Sequence, residues 1–258
     1  MDSAILKIQR AEKHYAELSA LLRKNRPFRY FVETNFKTGE KATFAKRDEE
    51  VANHAAIIIG DLIHNLRSSL DHTYWDCTEQ FAKSDGEKRS IQFPITSTEK
   101  ALKESVIPGL PSRVSESFAS ALEELQPYRD GGNRNLCLIH DLDVMDKHKL
   151  LIPTGNFTKI TSAMLQKQVP DFPSGIVDCG FGNNYRDVGW RVQPMTWTQR
   201  RKAKIPASNV REKELDVPVE TVLADVDSLR PALEVLQEMV EATKKAHYVL
   251  RDGAKPGA

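Results

Sequence analysis

The stretch Val51–Thr78, VANHAAIIIGDLIHNLRSSLDHTYWDCT, contains no Lys and no Glu in a chain that is 28% charged. It carries Asn53, His54, Asp61, His64, Asn65, Arg67, Ser68, Asp71 and His72 among apolar residues, and nothing in it breaks a helix beyond a tolerable Gly60. On a helix each residue advances by about 100°. Ala55, Ile59, Leu62, Ile63, Leu66, Leu70 and Tyr74 then share one face, and His54, Asp61, His64, Asn65, Ser68 and His72 the opposite one. A solvated face would hold Lys and Glu. A face of His, Asp, Asn and Ser flanked by Ile57, Ile58 and Trp75 is instead expected to be at least partly buried. Buried polar groups are costly unless paired. The stretch therefore predicts a long helix forming the wall of a polar site.

Working outward, the Pro and Gly positions and the apolar spacing divide the rest of the chain. Residues 3–25 read as a helix, and FRYFVETNF and KATFAKR around Lys37–Glu40 as a β-hairpin. The long helix is expected from about Asp48 to Ala82, followed by a charged loop over Ser84–Arg89 and a short extended piece, IQFPI, at 91–95. Helices are expected at 97–105 and 112–125, on either side of the Pro108–Pro111 turn. After the break at 130–132, Asn133 or Asn135 caps another helix running to Lys149. From 152 to 218 the pattern alternates, and FTKITSAML, GIVDCGF, DVGWRVQPMTW and NVREKELDV read as strands. Residues 219–251 read as one amphipathic helix that packs on the first helices, with a disordered tail at 252–258. The expected fold is α+β in a single domain, 1–258. Its helical core is 1–151 and 219–251, with an N-terminal β-hairpin and a β-rich insertion at 152–218.

The whole-chain numbers narrow the function. At 258 residues a full core is within reach. A net charge of +1 provides no overall field for nucleic acid or membrane, so such binding would need a local patch. Three separated cysteines without a Cys-x-x-Cys pair argue against a disulfide framework or structural zinc, and for a reducing compartment. The first residues form a charged amphipathic helix, unlike a signal peptide, and no apolar run approaches the ~20 residues of a bilayer span. A cytoplasmic protein without membrane partners is expected.

The chemistry-bearing residues concentrate in two places. Five of the seven histidines lie in the long helix (His54, His64, His72) and in IHDLDVMDKHK (His140, His148). The second segment places His140, Asp141, Asp143, Asp146, Lys147 and His148 among Leu138, Ile139, Leu142 and Met145, with His140, Asp143 and Lys147 on one helix face. A salt-bridged surface helix with satisfied core histidines is the plain reading. The sharper one has both segments facing a single cleft.

Arg67-Ser-Ser-Leu-Asp-His72 has the spacing Arg-x4-His, and this resembles the motif of HEPN-superfamily proteins, helical nucleases of prokaryotic defence and toxin–antitoxin systems. GDLIHNLRSSLDHTYW and LDVMDKHKLL also resemble segments of an uncharacterised bacterial family. The HEPN resemblance covers roughly residues 35–85 and 112–150; Ser68 stands where Asn or Asp is usual, and the β-rich region is no part of a minimal bundle. It implies a metal-independent ribonuclease, acting as a toxin or antiviral effector, with RNA as substrate, no cofactor, a homodimer that joins two motifs, and an antitoxin or regulatory protein as partner. His72 would exchange a proton with the ribose 2′-hydroxyl or the leaving oxygen, and Arg67 would hold the scissile phosphate. His64 would be a second base. Asp61, Asn65, Ser68, His140, Asp143, Asp146, Lys147 and His148 would position substrate. On one helix Arg67 and His72 diverge by about 140°, and an Arg67–Asp71 ion pair at i+4 is the structural alternative.

Two other readings stand beside this one. In the first, the chain is a non-catalytic binding module whose polar stripe is a buried hydrogen-bond network. In the second, His140-Asp141 is similar to the paired ligands of HD-type phosphohydrolases, and Asp61, His64 and a late Asp225 or Asp227 complete a divalent site. Capping of the last helix explains the late aspartates equally well. The basic run Arg200-Arg201-Lys202-Ala-Lys204, near Trp190 and Trp197, reads as a solvated hairpin tip or a nucleic-acid contact.

Overall fold

The long helix starts where its sequence says it should. The Asp48 carboxylate accepts from the Val51 N–H at 3.2 Å, Glu49 and Glu50 occupy the first turn, and the helix runs over Glu49–Thr78. Its apolar stripe, Ile59, Leu62, Ile63, Leu66 and Leu70, is completely buried. At the C-terminal end the Thr78 hydroxyl donates to the Tyr74 carbonyl, and a 3-10 turn over Glu79–Phe81 follows.

The computed structural model of the protein describes residues 2–149, 154–157, 161–175, 188–217, 219–223 and 230–255. The fold is α+β with a helical core, as the sequence predicts. The chain divides into two compact units. The first, helical, unit comprises residues 1–20, 56–152 and 233–258. Here most of the long helix meets the first helix (Ser3–Lys24), the helices Glu116–Leu125 and Arg134–Lys149, and the last helix, Ala232–Gly253. Ala4, Ile8, Ala11 and Leu18 bury one side of the first helix, and Val235, Leu236, Met239 and Val240 one side of the last. Each fully buried Leu or Ile contributes about 1.5–3 kcal/mol. The last helix returns to the first, as expected: Lys244 Nζ lies 2.8 Å from the Glu12 carboxylate. Among the described residues no helix is long and apolar enough to cross a membrane.

The second unit comprises residues 21–55 and 153–232. Strands β1 (Phe28–Asn35) and β2 (Glu40–Arg47) form the predicted hairpin. Strand β3 (Thr154–Phe157) is short, and β4 (Val188–Arg191) and β5 (Val210–Leu215) join the hairpin in an antiparallel sheet of order β4-β2-β1-β5. Strand β6 (Glu220–Leu223) pairs with β3. The hairpin thus belongs with the later strands, a pairing that a reading of local pattern does not reveal. One sheet face carries Tyr30, Val32, Ala45 and Leu215 and packs on Leu165, Val169 and Phe172. At the hairpin turn Gly39 has φ +77°, and a Cβ there would lie 2.0 Å from the Val192 carbonyl oxygen, so both conformation and space require glycine.

Several local expectations differ from the structure. The charged loop is a short helix, Asp85–Arg89, because the Ser84 hydroxyl accepts from the Glu87 N–H. The helix expected at 97–105 is one α turn, Glu99–Ala101, running into a π-helical turn, Leu102–Val106. FTKITSAML is not one strand: Ser162–Gln166 is helical, capped by Thr161. DVGWRVQPMTW contributes only β4, since Pro194 cannot donate to a ladder, and Trp197–Lys202 forms a helix with a Thr196–Gln199 capping box. The basic run is therefore a helix rather than a hairpin tip. The helix expected from 219 begins at Ala232, with β6 preceding it. GIVDCGF and the GFGNN turn lie almost wholly outside the described residues, as do Asp225, Asp227 and the end of the tail.

Candidate functional site

Within the helical unit, the two segments rich in His and Asp do meet. His64 Nδ1 lies 3.0 Å from Asp143 Oδ1, and Lys147 Nζ donates to Asp143 Oδ2 at 2.6 Å. The Asp143 side chain is buried, while those of His64 and Lys147 are half-exposed. A buried carboxylate therefore lies between two basic groups at the surface. The Ser68 hydroxyl is 3.5 Å from His64 Nε2, one helical turn on. Asn65 donates to the Asp61 carbonyl and faces outward.

Asp146 reaches the long helix at Gly60. A Cβ on residue 60 would stand 2.7 Å from Asp146 Oδ1, so glycine allows the carboxylate to lie on the helix backbone. Burial raises the Asp146 pKa, and the neighbouring Asp143 and Asp61 carboxylates raise it further against the opposing pull of His64 and Lys147. His140 is half-buried. Burial lowers its pKa, and the Arg67 guanidinium adds to the effect.

Arg67 is only 4% exposed. Its Nη2 donates to Asp71 Oδ1 at 2.7 Å and to the Phe93 carbonyl at 2.9 Å, and Asp71 Oδ1 accepts in turn from the Phe93 N–H at 2.8 Å. This closed knot ties the extended piece at 91–95 to the long helix. Burial raises the Asp71 pKa, while Arg67 and the Phe93 N–H hold it down. Arg67 Nη1 is buried without a hydrogen bond among the described residues. Spacing gives no sign of Phe93's part, because its contribution is made by its backbone.

His72 points elsewhere. Its Nδ1 is 3.1 Å from the Ser3 hydroxyl, and it lines an open depression of about 470 Å³ with Asp71, Trp75, Asp76 and Ile91. Asp141 pairs with Arg129 at 2.6 Å, away from the network. The side chain of His148 lies outside the described residues. Among the described residues no three His, Cys, Asp or Glu side chains are grouped to hold one metal ion.

The arrangement gathers Asp61, His64, His140, Asp143, Asp146 and Lys147 into one neighbourhood, with Arg67 behind it, and leaves His72 on another face. Chemically, the buried Asp143 carboxylate can orient the His64 ring and leave Nε2 available to exchange a proton. Ser68 is poorly suited as a nucleophile for acyl transfer. It sits in mid-helix, where the backbone N–H groups that would make an oxyanion hole are already bonded to carbonyls one turn back. The chain was compared with protein-family models, with curated proteins and with solved structures, and none of the three comparisons finds a match.

Proposed function

We propose that the helical unit is a non-catalytic binding module in which the His–Asp stripe of the long helix is a packing network. The observation that carries this reading is the burial of Arg67 between Asp71 and the Phe93 carbonyl. At 4% exposure the guanidinium has no open face, so to hold a phosphate it would have to withdraw from both Nη2 partners, leaving the Phe93 carbonyl unpaired and taking a donor from the Asp71 carboxylate, and such losses are costly. The electrostatics agree. The helical unit has 18 Lys and Arg against 22 Asp and Glu, so it offers RNA no general attraction. Incubation of the full chain with labelled single-stranded RNA, in chelator and separately in manganese, is expected to yield no cleavage products. Products that form in chelator and vanish in His72→Ala would reverse the conclusion.

One observation favours a second reading, a metal-independent ribonuclease of the HEPN kind. The His64 ring is oriented by a buried carboxylate and its side chain is half-exposed, as an acid–base group requires. In that case His64 rather than His72 is the base, and chelator-resistant cleavage would survive His72→Ala and be lost in His64→Ala.

A further inference from the structure

The sheet of the second unit has a second face, which the core does not use. The registers Arg29↔Lys46, Phe31↔Phe44 and Glu33↔Ala42 place these residues opposite Tyr30 and Val32, and β4 adds Gly189 and Arg191. On the two central strands Phe31 and Phe44 stack, with centroids 5.8 Å apart and planes at 20°. Both rings are only partly buried. Lys46 Nζ stands 4.8 Å from the Phe31 centroid and 5.5 Å from that of Phe44, and the Arg29 guanidinium is 5.9 Å from Phe31. Beside the rings is a concavity of about 420 Å³, floored by the small residues Ala42 and Gly189 and walled by Glu33, Asn35 and Arg191. Aromatic rings flanked by cations next to an open hollow form a surface on which flat rings can stack.

A second observation supplies the charge. The chain between β4 and β5 crosses the hairpin end of this sheet, held by Met195 N–H to the Phe36 carbonyl and by Phe36 N–H to the Asn209 carbonyl. It carries the helix Trp197–Lys202, in which Trp197 is 64% exposed and Arg201 lies 5.4 Å over its ring. Arg200, Lys202 and Lys204 form no ion pair with a described carboxylate. The unit as a whole has 19 Lys and Arg against 14 Asp and Glu, the reverse of the helical unit. Three glutamates of the sheet face pair with cations: Glu212 with Lys46, Glu214 with Arg29 at 3.8 Å, and Glu40 with Arg191 at 2.7 Å. Exposed pairs of this kind are worth little and open readily to a competing phosphate.

We propose that this face binds single-stranded nucleic acid. Bases stack on Phe31 and Phe44, one base enters the hollow over Ala42 and Gly189, and the backbone runs toward the basic helix, where Trp197 offers a further stacking surface. The site lies wholly within the second unit and does not rest on the reading of the helical one.

The test is fluorescence anisotropy of the full chain with labelled single-stranded oligonucleotides of about 15 nucleotides, as RNA and as DNA. Binding to either is expected, weakening steeply between about 50 and 200 mM salt. Preference for RNA would identify a 2′-hydroxyl contact, and equal affinity would identify stacking and phosphate contacts alone. Phe31→Leu with Phe44→Leu keeps the apolar bulk and removes the rings, and it is expected to weaken binding roughly tenfold. Gly189→Leu fills the hollow. A Cβ there meets nothing closer than the Lys41 carbonyl at 3.8 Å, so the backbone accepts a side chain, and with an unchanged melting temperature this variant should also lose affinity. No binding to either strand would overturn the proposal. So would binding that neither variant weakens, or equal binding to a blunt duplex or to polyphosphate. RNA cleavage by the wild-type chain would overturn the non-catalytic reading and leave this one standing, since the DNA arm reports binding alone.

Discussion

Arg67 and His72 show how two residues that share a sequence motif can do separate work. Arg67 faces inward, and its Nη2 serves an acid one turn on and a carbonyl 26 residues away. His72 faces an open depression, its Nδ1 within hydrogen-bond distance of the Ser3 hydroxyl. The helical offset between them, about 140°, accounts for the separation. Replacement of Arg67 by Met keeps its bulk but leaves the Phe93 carbonyl without its donor and Asp71 with the Phe93 N–H in place of two donors. The expected loss is about 3 kcal/mol, read from urea unfolding. His72→Ala removes an exposed contact and should change stability by less than ~0.5 kcal/mol. If the two variants lose equal stability, the structural role assigned to Arg67 is wrong.

Between helices, the decisive feature is an absence of side chain. Gly→Ala in a helix interior ordinarily stabilises by up to ~1 kcal/mol. At residue 60 the gain should be smaller, because the new methyl must displace the Asp146 carboxylate, the end of a flexible side chain that can swing aside. Gly60→Ala is expected to raise the melting temperature by less than that figure implies, and the combination with Asp146→Ala to recover the full gain, a coupling that a double-mutant cycle measures directly. The same carboxylate is a liability for its charge. Burial and the neighbouring acids Asp143 and Asp61 raise its pKa, so the folded state binds its proton more tightly than the unfolded state does. Stability is therefore lost as pH rises through the raised value. Asp146→Asn should stabilise at neutral pH, with the gain shrinking as pH falls toward the ordinary carboxylate range. The sequence made part of this visible. A Lys- and Glu-free helix face and a second segment dense in His and Asp are legible as partners, because an unpaired buried charge is costly and the nearest opposite charges must supply the relief. The Arg67–Asp71 pair is equally legible from i, i+4 spacing. Phe93 is not, since a backbone carbonyl leaves no mark on residue identity. Nor is the partnership of the hairpin with β4 and β5, because strand pairing across a long stretch of chain leaves only local alternation in the sequence. The basic helix was masked by Pro194, which ends β4 early and allows Thr196 and Gln199 to start a helix.

Across the whole molecule, residues far apart in sequence meet at a buried histidine of the last helix. His247 Nδ1 lies 2.9 Å from the Thr73 hydroxyl, and its Nε2 is 3.7 Å from the Asp2 carboxylate. Close by, Ser69 donates to the Ala4 carbonyl, so the start and the end of the helical unit both fasten to the same two turns of the long helix. Burial pushes the His247 pKa below the ordinary histidine value; Asp2 and Asp76 pull upward, and Arg251 adds to the depression. In the unfolded chain the ring takes a proton at its ordinary pKa near 6.5. The unfolded state thus binds more protons once pH falls below that value, and stability drops with it until the lowered folded pKa is reached. His140 acts with the same sign. The raised pKa values of Asp71 and Asp146 act oppositely, but closer to the carboxylate range. The melting temperature is accordingly expected to fall between about pH 7 and 5.5, a window the histidines dominate. His247→Gln, which keeps a polar group at the Thr73 hydroxyl but cannot be protonated, should flatten that slope while lowering stability at pH 7. An unchanged slope in His247→Gln would remove this residue from the pH response and leave His140 as the group to replace next.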